Sequence, residues 1–150
     1  MRKRTGVRYL VLGMLFSAML NGWGQEGSKN QDYQYVLIDA VRKKNLGQLA
    51  EAVKLYQMVI KDKPDCAVAY FEAGSIYLMT NQLELALKNL SVAYKLDPNN
   101  PWYSTAYINA LGANEAFDEM VDLLKEKRKQ DPENVEWEYQ LASAYFAMGR

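Results

Sequence analysis

The chain has 150 residues, the size of one ordinary domain, and 49% of them are hydrophobic, so it can bury a core. Its 18 basic and 18 acidic residues cancel, which gives no reason to expect a nucleic-acid-binding protein. It holds one cysteine and no histidine. The composition therefore excludes an intramolecular disulfide, Cys-rich zinc sites and every catalytic mechanism that needs an imidazole.

The first 24 residues have the pattern of a secretory signal peptide. Basic residues at 2–4 precede an apolar run at 9–20, and the small residues Gly22 and Gly24 follow. The run is shorter than the roughly 20 residues of a membrane-spanning helix, which favours cleavage after Gly24 over an uncleaved anchor. We therefore predict export, with a periplasmic or cell-envelope location. Cleavage would remove four basic residues and no acidic one, leaving a mature chain with a net negative charge.

From residue 33 the sequence repeats itself with a fixed period, after a polar, aperiodic stretch at 25–32 that we predict to be a linker. Pro64, Pro98 and Pro132 are spaced by 34 residues, and each follows a similar polar segment. Self-similarity at this period is typical of stacked structural units. Within the second unit, apolar residues recur at helical spacing on both sides of a polar interruption at 80–82, which predicts two helices per unit.

These units resemble the tetratricopeptide repeat (TPR), a family of 34-residue helix–turn–helix units. The resemblance implies an all-α fold, an α-solenoid wound as a right-handed superhelix of antiparallel helix pairs, three full and one half. The third unit has Ile108, Met120 and Lys127 where the family has small residues, so we expect its helices to approach less closely. The second unit matches the family pattern best, at Tyr70, Ala73, Gly74, Tyr77, Ala86, Leu90, Ala93 and Pro98. The predicted TPR domain covers residues 33–150, divided into 33–66, 67–100, 101–134 and a partial unit at 135–150.

No sequence motif points to catalysis. The chain lacks a glycine-rich phosphate loop, a calcium-binding loop and a Ser-x-x-Lys pair, and its only Gly-x-Gly, at 22–24, lies in the predicted signal peptide. The acidic residues Glu136 and Glu138 and the basic runs at 42–44 and 125–129 are typical of solvated helix surfaces. We therefore predict a protein that is not an enzyme and has no metal, no cofactor and no nucleic-acid partner.

The resemblance implies a concave groove lined by the first helix of each unit, which in TPR proteins receives extended peptides or partner helices. The short side chain of Thr105 predicts a recess between Phe71 and Tyr139, with Trp102 about one helical turn away and Asn109 able to hydrogen-bond a peptide backbone. The alternative is that these aromatic residues belong to the core, with Trp102 packed on the preceding turn. The predicted groove residues are Leu37, Val41, Val68, Phe71, Ser75, Trp102, Thr105, Asn109 and Tyr139.

One TPR subclass grips a C-terminal carboxylate with Lys, Asn and Arg side chains. The residues found here at the corresponding places provide none of those groups, so the resemblance implies that no carboxylate-clamp chaperone peptide binds. Those places hold Leu37, Val41, Glu72, Trp102 and Ala106.

Three functions remain open at the level of sequence. The first is a non-catalytic scaffold in the cell envelope that binds a protein or peptide through the groove. The second is the sensor or scaffold region of a longer signalling protein or enzyme that continues beyond residue 150, and the third is a structural role in envelope assembly. Leu141, Ala142 and Tyr145 form an apolar face on the last predicted helix. This face favours a longer natural chain and predicts self-association through it.

Overall fold

The computed structural model describes residues 33–149, and this part of the chain consists of helices and turns without a strand. The signal peptide predicted at 1–24 and the linker predicted at 25–32 lie outside the described residues. The helices are α1 (33–45), α2 (Leu49–Asp62), α3 (Ala67–Met79), α4 (Leu83–Leu96), α5 (Pro101–Ala113), α6 (Phe117–Gln130) and α7 (Val135–Ala147). We call α1, α3, α5 and α7 the A helices, and α2, α4 and α6 the B helices.

Each A helix is joined to the following B helix by a turn of three residues, at 46–48, 80–82 and 114–116. Turns this short force the two helices to run in opposite directions as a hairpin. Every helix from α2 to α7 packs on its neighbour in sequence, and α3 also contacts α5. The predicted all-α solenoid of stacked helical hairpins is therefore confirmed.

The turns that follow the A helices share one backbone feature, a residue in the left-handed conformation. Gly47 and Gly149 have φ values of 74° and 70°, while Asn81 and Glu115 both have φ of 57°. These four positions are one repeat apart, so the same reversal of direction recurs in each unit. Glycine and asparagine tolerate this conformation readily, whereas glutamate adopts it at a cost.

The starts of α5 and α7 are fixed by asparagine caps. The side chain of Asn100 accepts a hydrogen bond from the backbone N–H of Trp102 at 3.0 Å, and Asn134 accepts one from Glu136 at 3.1 Å. In α5 the next residue is Pro101, whose fixed φ suits the first helical position. Because the caps are 34 residues apart, they keep the first turns of these A helices in equivalent positions.

The second hairpin packs closely because a glycine faces a leucine. A Cβ atom added at Gly74 would lie 2.6 Å from Cγ of Leu90, which leaves no room for any side chain between α3 and α4. One repeat later, the same positions hold Ile108 and Leu124, both fully buried. The α5–α6 interface is accordingly less extensive than the α3–α4 interface, as the larger side chains in the third unit led us to expect.

The core consists of two clusters along the solenoid. The first joins α1, α2 and α3 with Ala86 of α4, and the second joins α5, α6 and α7 with Leu90 of α4. Leu78, on α3, packs against both clusters and connects them. A continuous core of this kind, built between successive hairpins, leaves one face of the A helices open to solvent.

Candidate groove on the A helices

A recess of about 320 Å³ opens between α3 and α5. We call it the groove recess. Each helix contributes side chains at spacings of three or four residues, so one face of each helix forms one wall. The lining residues are Phe71, Ser75, Leu78 and Met79 from α3, and Trp102, Thr105, Ala106 and Asn109 from α5.

Five of the predicted groove residues meet in this recess: Phe71, Ser75, Trp102, Thr105 and Asn109. The four others do not line it. Leu37 and Val41 of α1 are half-buried and pack against the first core cluster. Val68 and Tyr139 are exposed, with 41% and 70% of their surface accessible, but lie outside the recess. Tyr139 therefore does not form the second wall of the recess expected from the sequence; that wall belongs to α5.

Trp102 and Phe71 have different environments within the recess. Trp102 is 74% exposed, so its indole is not packed against the preceding turn. Phe71 is half-buried and packs against the second core cluster, with its ring centroid 5.1 Å from that of Tyr103. An exposed tryptophan beside an open recess is the kind of side chain that carries binding energy in protein interfaces. Phe71 contributes to the fold as well as to the recess.

The polar groups of the recess have unused hydrogen-bonding capacity. Asn109 is exposed, and its side-chain amide makes no hydrogen bond within the described residues. Ser75 donates its hydroxyl hydrogen to the backbone carbonyl of Phe71 at 2.8 Å, which leaves the lone pairs of Oγ free to accept. One free amide and one acceptor oxygen match the alternating donors and acceptors of an extended peptide backbone.

Met79 and Ala106 line the recess but were not among the predicted groove residues. Met79 is the last residue of α3 and is 71% exposed. It stands eight residues after Phe71, so the same helical spacing that identifies Ser75 also reaches Met79. Helical periodicity from Phe71 and Ser75 therefore places Met79 on the same face of α3.

Among residues 33–149, the titratable groups whose pKa values are strongly raised are core tyrosines rather than groove residues. Burial, and then the nearby carboxylate of Glu72, raises the pKa of Tyr56 well above its ordinary value of 10.0. Burial, and then the hydrogen bond its hydroxyl donates to Glu119, raises the pKa of Tyr107 in the same direction. Neither group lines the groove recess. These shifts follow from packing inside the solenoid.

The described residues contain neither a metal-binding cluster nor a helix that could span a membrane. Residues 33–149 contain no group of three or more Cys, Asp or Glu side chains arranged to hold a metal ion. In the same range, no helix has both the length and the apolar character that crossing a bilayer requires. The single cysteine, Cys66, is a free thiol and half-buried.

Comparison with known proteins shows the fold but not the family. No family model and no curated protein matches the sequence. Among solved structures, the chain is similar to MamA AMB-1, with a TM-score of 0.71 at 22% identity, covering 79% of this chain and 64% of that one. It is also similar to the first TPR of Spaghetti (RPAP3) bound to HSP90 peptide SRMEEVD, with a TM-score of 0.64 at 17% identity. That match covers 80% of this chain and 98% of the other.

A plant structure, the Arabidopsis OM64 TPR domain, is similar to the chain with a TM-score of 0.63 at 15% identity. The match covers 76% of this chain and 94% of that domain. These TM-scores show that the chain adopts the TPR fold, and identities this low leave its function to be argued from its own residues.

Proposed function

We propose that the chain is a non-catalytic interaction module that binds a peptide or protein partner in the groove recess. One observation carries this proposal: Trp102 is 74% exposed at the edge of a recess of about 320 Å³ that also holds a free amide at Asn109. The similar structure of the first TPR of Spaghetti (RPAP3) holds a peptide, which supports the same use of the fold here. An exposed indole next to an open recess is available to a partner at no cost to the core.

The test is capture of a partner from an envelope extract by the wild-type chain and by two groove variants. Trp102→Ala removes the exposed anchor, and Thr105→Trp fills the recess from a side chain that is itself exposed. Both replace surface residues, so we expect stability to change by only about 0.5 kcal/mol. The matched control is Leu96→Ala, which removes an exposed apolar side chain from a B helix.

We expect the partner to be retained by wild type and Leu96→Ala, and lost by Trp102→Ala and by Thr105→Trp. Circular dichroism and thermal melting would verify that all four proteins are equally folded. Equal retention by the folded groove variants would move the interaction away from the recess and contradict the proposal.

We further propose that this binding takes place in the cell envelope after export. The basic start, the apolar run at 9–20 and the small residues that follow it are the support for export. The test is the N-terminal sequence and the cellular fraction of the protein as it accumulates in cells. A mature chain that begins at Gln25 in the envelope fraction is the expected result, whereas an intact Met1 in the cytoplasm would overturn this location.

A further inference from the structure

Basic residues are distributed unequally between the two kinds of helix. The A helices α3, α5 and α7 contain no lysine and no arginine. In contrast, each B helix contains at least two basic residues, and the last turn of α6 alone contains three. The lining of the groove recess has no charged residue of either sign. A ligand carboxylate in this recess would therefore lose its hydration without gaining a cation.

The basic residues at the end of α1 do not change this conclusion, because each is held by a carboxylate. Arg42 pairs with Asp39 at 2.6 Å, and Lys43 pairs with Glu51 of α2 at 2.6 Å. Lys44 pairs with Glu72 of α3 at 2.5 Å, and both of these side chains are largely buried. None of the three cations lies in the lining of the groove recess.

Within residues 33–149, one acidic side chain on the A helices has no cation partner. Glu138 of α7 pairs with Arg128 at 3.1 Å. Glu136 is exposed and accepts a hydrogen bond from the side-chain amide of Gln140 at 2.8 Å, but it has no ion pair within residues 33–149. Glu136 occupies the place in α7 that Trp102 occupies in α5, one repeat earlier. The repeat therefore places an unpaired negative charge in the same row of equivalent positions as the exposed indole.

We propose that this groove selects an apolar segment that carries a lysine or arginine, and that it rejects segments with acidic side chains or a terminal carboxylate at the bound residues. This inference rests on the proposed function, and it adds that the partner of the groove is basic rather than acidic. Apolar side chains of the partner fill the recess beside Trp102, and its basic side chain pairs with Glu136. Because the A helices have no unpaired cation within the described part of the chain, an acidic ligand would gain no ion pair on them and would bind more weakly.

The test begins with selection of short random peptides, displayed on phage, against the purified full chain. Selected peptides are then measured against Trp102→Ala as the groove variant and Leu96→Ala as its control. Dependence on Trp102 identifies peptides that use the groove. The proposal expects this groove-dependent set to be enriched in lysine and arginine and depleted in aspartate and glutamate relative to the starting library.

Charge substitutions then test the electrostatic part directly with one selected peptide. Glu136→Gln removes the unpaired carboxylate and should weaken binding by about two- to fivefold, with a smaller effect at high salt. Glu84→Gln, which makes the same change of net charge on a B helix, is the control and should leave binding unchanged. Asn109→Lys places a cation in the groove recess and should weaken binding of the basic peptide more than Glu136→Gln does. Asn99→Lys, in an exposed loop, is its control and should leave binding unchanged.

The outcomes separate this inference from the proposed function. Groove-dependent peptides that are neutral or acidic in composition would overturn the charge preference and leave the groove as a binding site. Peptides whose binding does not depend on Trp102, or no selected peptide at all, would overturn the proposed groove function and this inference with it. Basic apolar peptides that respond to Trp102→Ala and Glu136→Gln would support both.

Discussion

Tyr56 is a fully buried side chain whose hydroxyl has no hydrogen-bond partner within the described residues. A buried, unpartnered hydroxyl costs free energy because it has lost its hydrogen bonds to water. Burial also raises the pKa of Tyr56 above its ordinary value of 10.0, with Glu72 adding to the shift. The ring of Tyr56 therefore stabilises the first core cluster while its hydroxyl destabilises it.

We expect Tyr56→Phe to raise the free energy of unfolding at neutral pH by about 1 kcal/mol, because it removes an unsatisfied polar atom and keeps the ring. Tyr35→Phe, at an exposed tyrosine of α1, is the control and should have almost no effect. Chemical denaturation of the three proteins measures this difference. A loss of stability in Tyr56→Phe would show that the hydroxyl has a partner in solution.

The same residue predicts how stability depends on alkaline pH. Since the folded-state pKa of Tyr56 lies above the unfolded value, the folded chain holds this proton more tightly. Above about pH 10 the tyrosine of the unfolded chain loses its proton while the folded chain still holds it. The free energy of unfolding is therefore unaffected by this group below about pH 10 and falls above it, by at most about 1.4 kcal/mol per pH unit for one tyrosine. Tyr56→Phe should therefore lose less stability than wild type between neutral pH and about pH 11. Equal losses in the two proteins would contradict the assignment.

Glu115 is the one acidic residue among the left-handed turn positions of the described chain. Glycine holds the equivalent place at Gly47 and Gly149, where φ is also positive. We expect Glu115→Gly to raise the free energy of unfolding by up to about 1 kcal/mol, because it relieves the strained backbone. Glu133→Gly, at an exposed loop residue with no positive φ, is the control and should not stabilise the chain. Equal effects of the two substitutions would show that backbone strain is not the cause.

At the level of helix pairs, the α3–α4 interface depends on Gly74. A methyl group there would lie 2.6 Å and 2.9 Å from side-chain atoms of Leu90 and 3.2 Å from its backbone nitrogen. We expect Gly74→Ala to cost about 1–2 kcal/mol, since overpacking outweighs the better helix propensity of alanine.

Gly112→Ala is the matched control for this substitution, because it also changes a helical glycine on an A helix. Its Cβ would meet only the flexible end of Met120, with Sδ at 3.5 Å. We expect Gly112→Ala to be neutral or to stabilise the chain by up to about 1 kcal/mol. If thermal melting showed the same change for both variants, helix propensity rather than the close approach would govern Gly74.

The third hairpin is tied to the loop before it by a buried lysine. Lys127 of α6 is 7% exposed, and its ammonium donates to the carbonyl of Pro98 at 2.7 Å and lies 5.1 Å from the ring centre of Tyr94. Lys127 occupies the position that Ala93 holds one repeat earlier. Alanine at this position leaves room for the next helix pair, whereas the longer lysine side chain extends to the α4–α5 loop.

We expect Lys127→Met to lower the free energy of unfolding by about 1–2 kcal/mol, because methionine keeps the length of the side chain but loses the charged donor and the cation–π contact. Lys129→Met, at an exposed lysine two residues later, should change it by less than about 0.5 kcal/mol. Equal stabilities of the two variants, measured by denaturation, would mean that the desolvation of the ammonium cancels its contacts.

Across the whole molecule, the sequence predicts the solenoid well because its period fixes the hairpins. Gly74 and Leu90, for example, belong to the repeat pattern and also form the close contact between α3 and α4. The groove is less predictable. The repeat places Val68, Trp102 and Tyr139 on the same side of the solenoid, but it does not show between which helices a recess opens. The recess lies between α3 and α5, and its position depends on how deeply the side chain of Phe71 is buried in the core. That depth is a property of packing between hairpins, which no single repeat encodes.

The arrangement of the core also predicts how stability is distributed along the chain. α3, α4 and α5 pack on helices at both sides, and Leu78 joins the two clusters at this point. α7 packs mainly on α6 and exposes Val135, Tyr139 and Phe146. In a solenoid, where each hairpin is stabilised by its neighbours, a helix with fewer neighbours opens at a lower free energy.

We therefore expect native-state hydrogen exchange of the 150-residue chain to be at least about tenfold faster for amides in the middle of α7 than for those in the middle of α4. Leu78→Ala should narrow this difference, because it weakens the contact between the clusters and lets the central helices open more often. Leu96→Ala, at an exposed position on α4, is the control and should leave the pattern unchanged. Uniform protection from α3 to α7 would instead mean that the hairpins unfold as one cooperative unit, with the coupling through Leu78 strong enough to hold α7 as firmly as the centre.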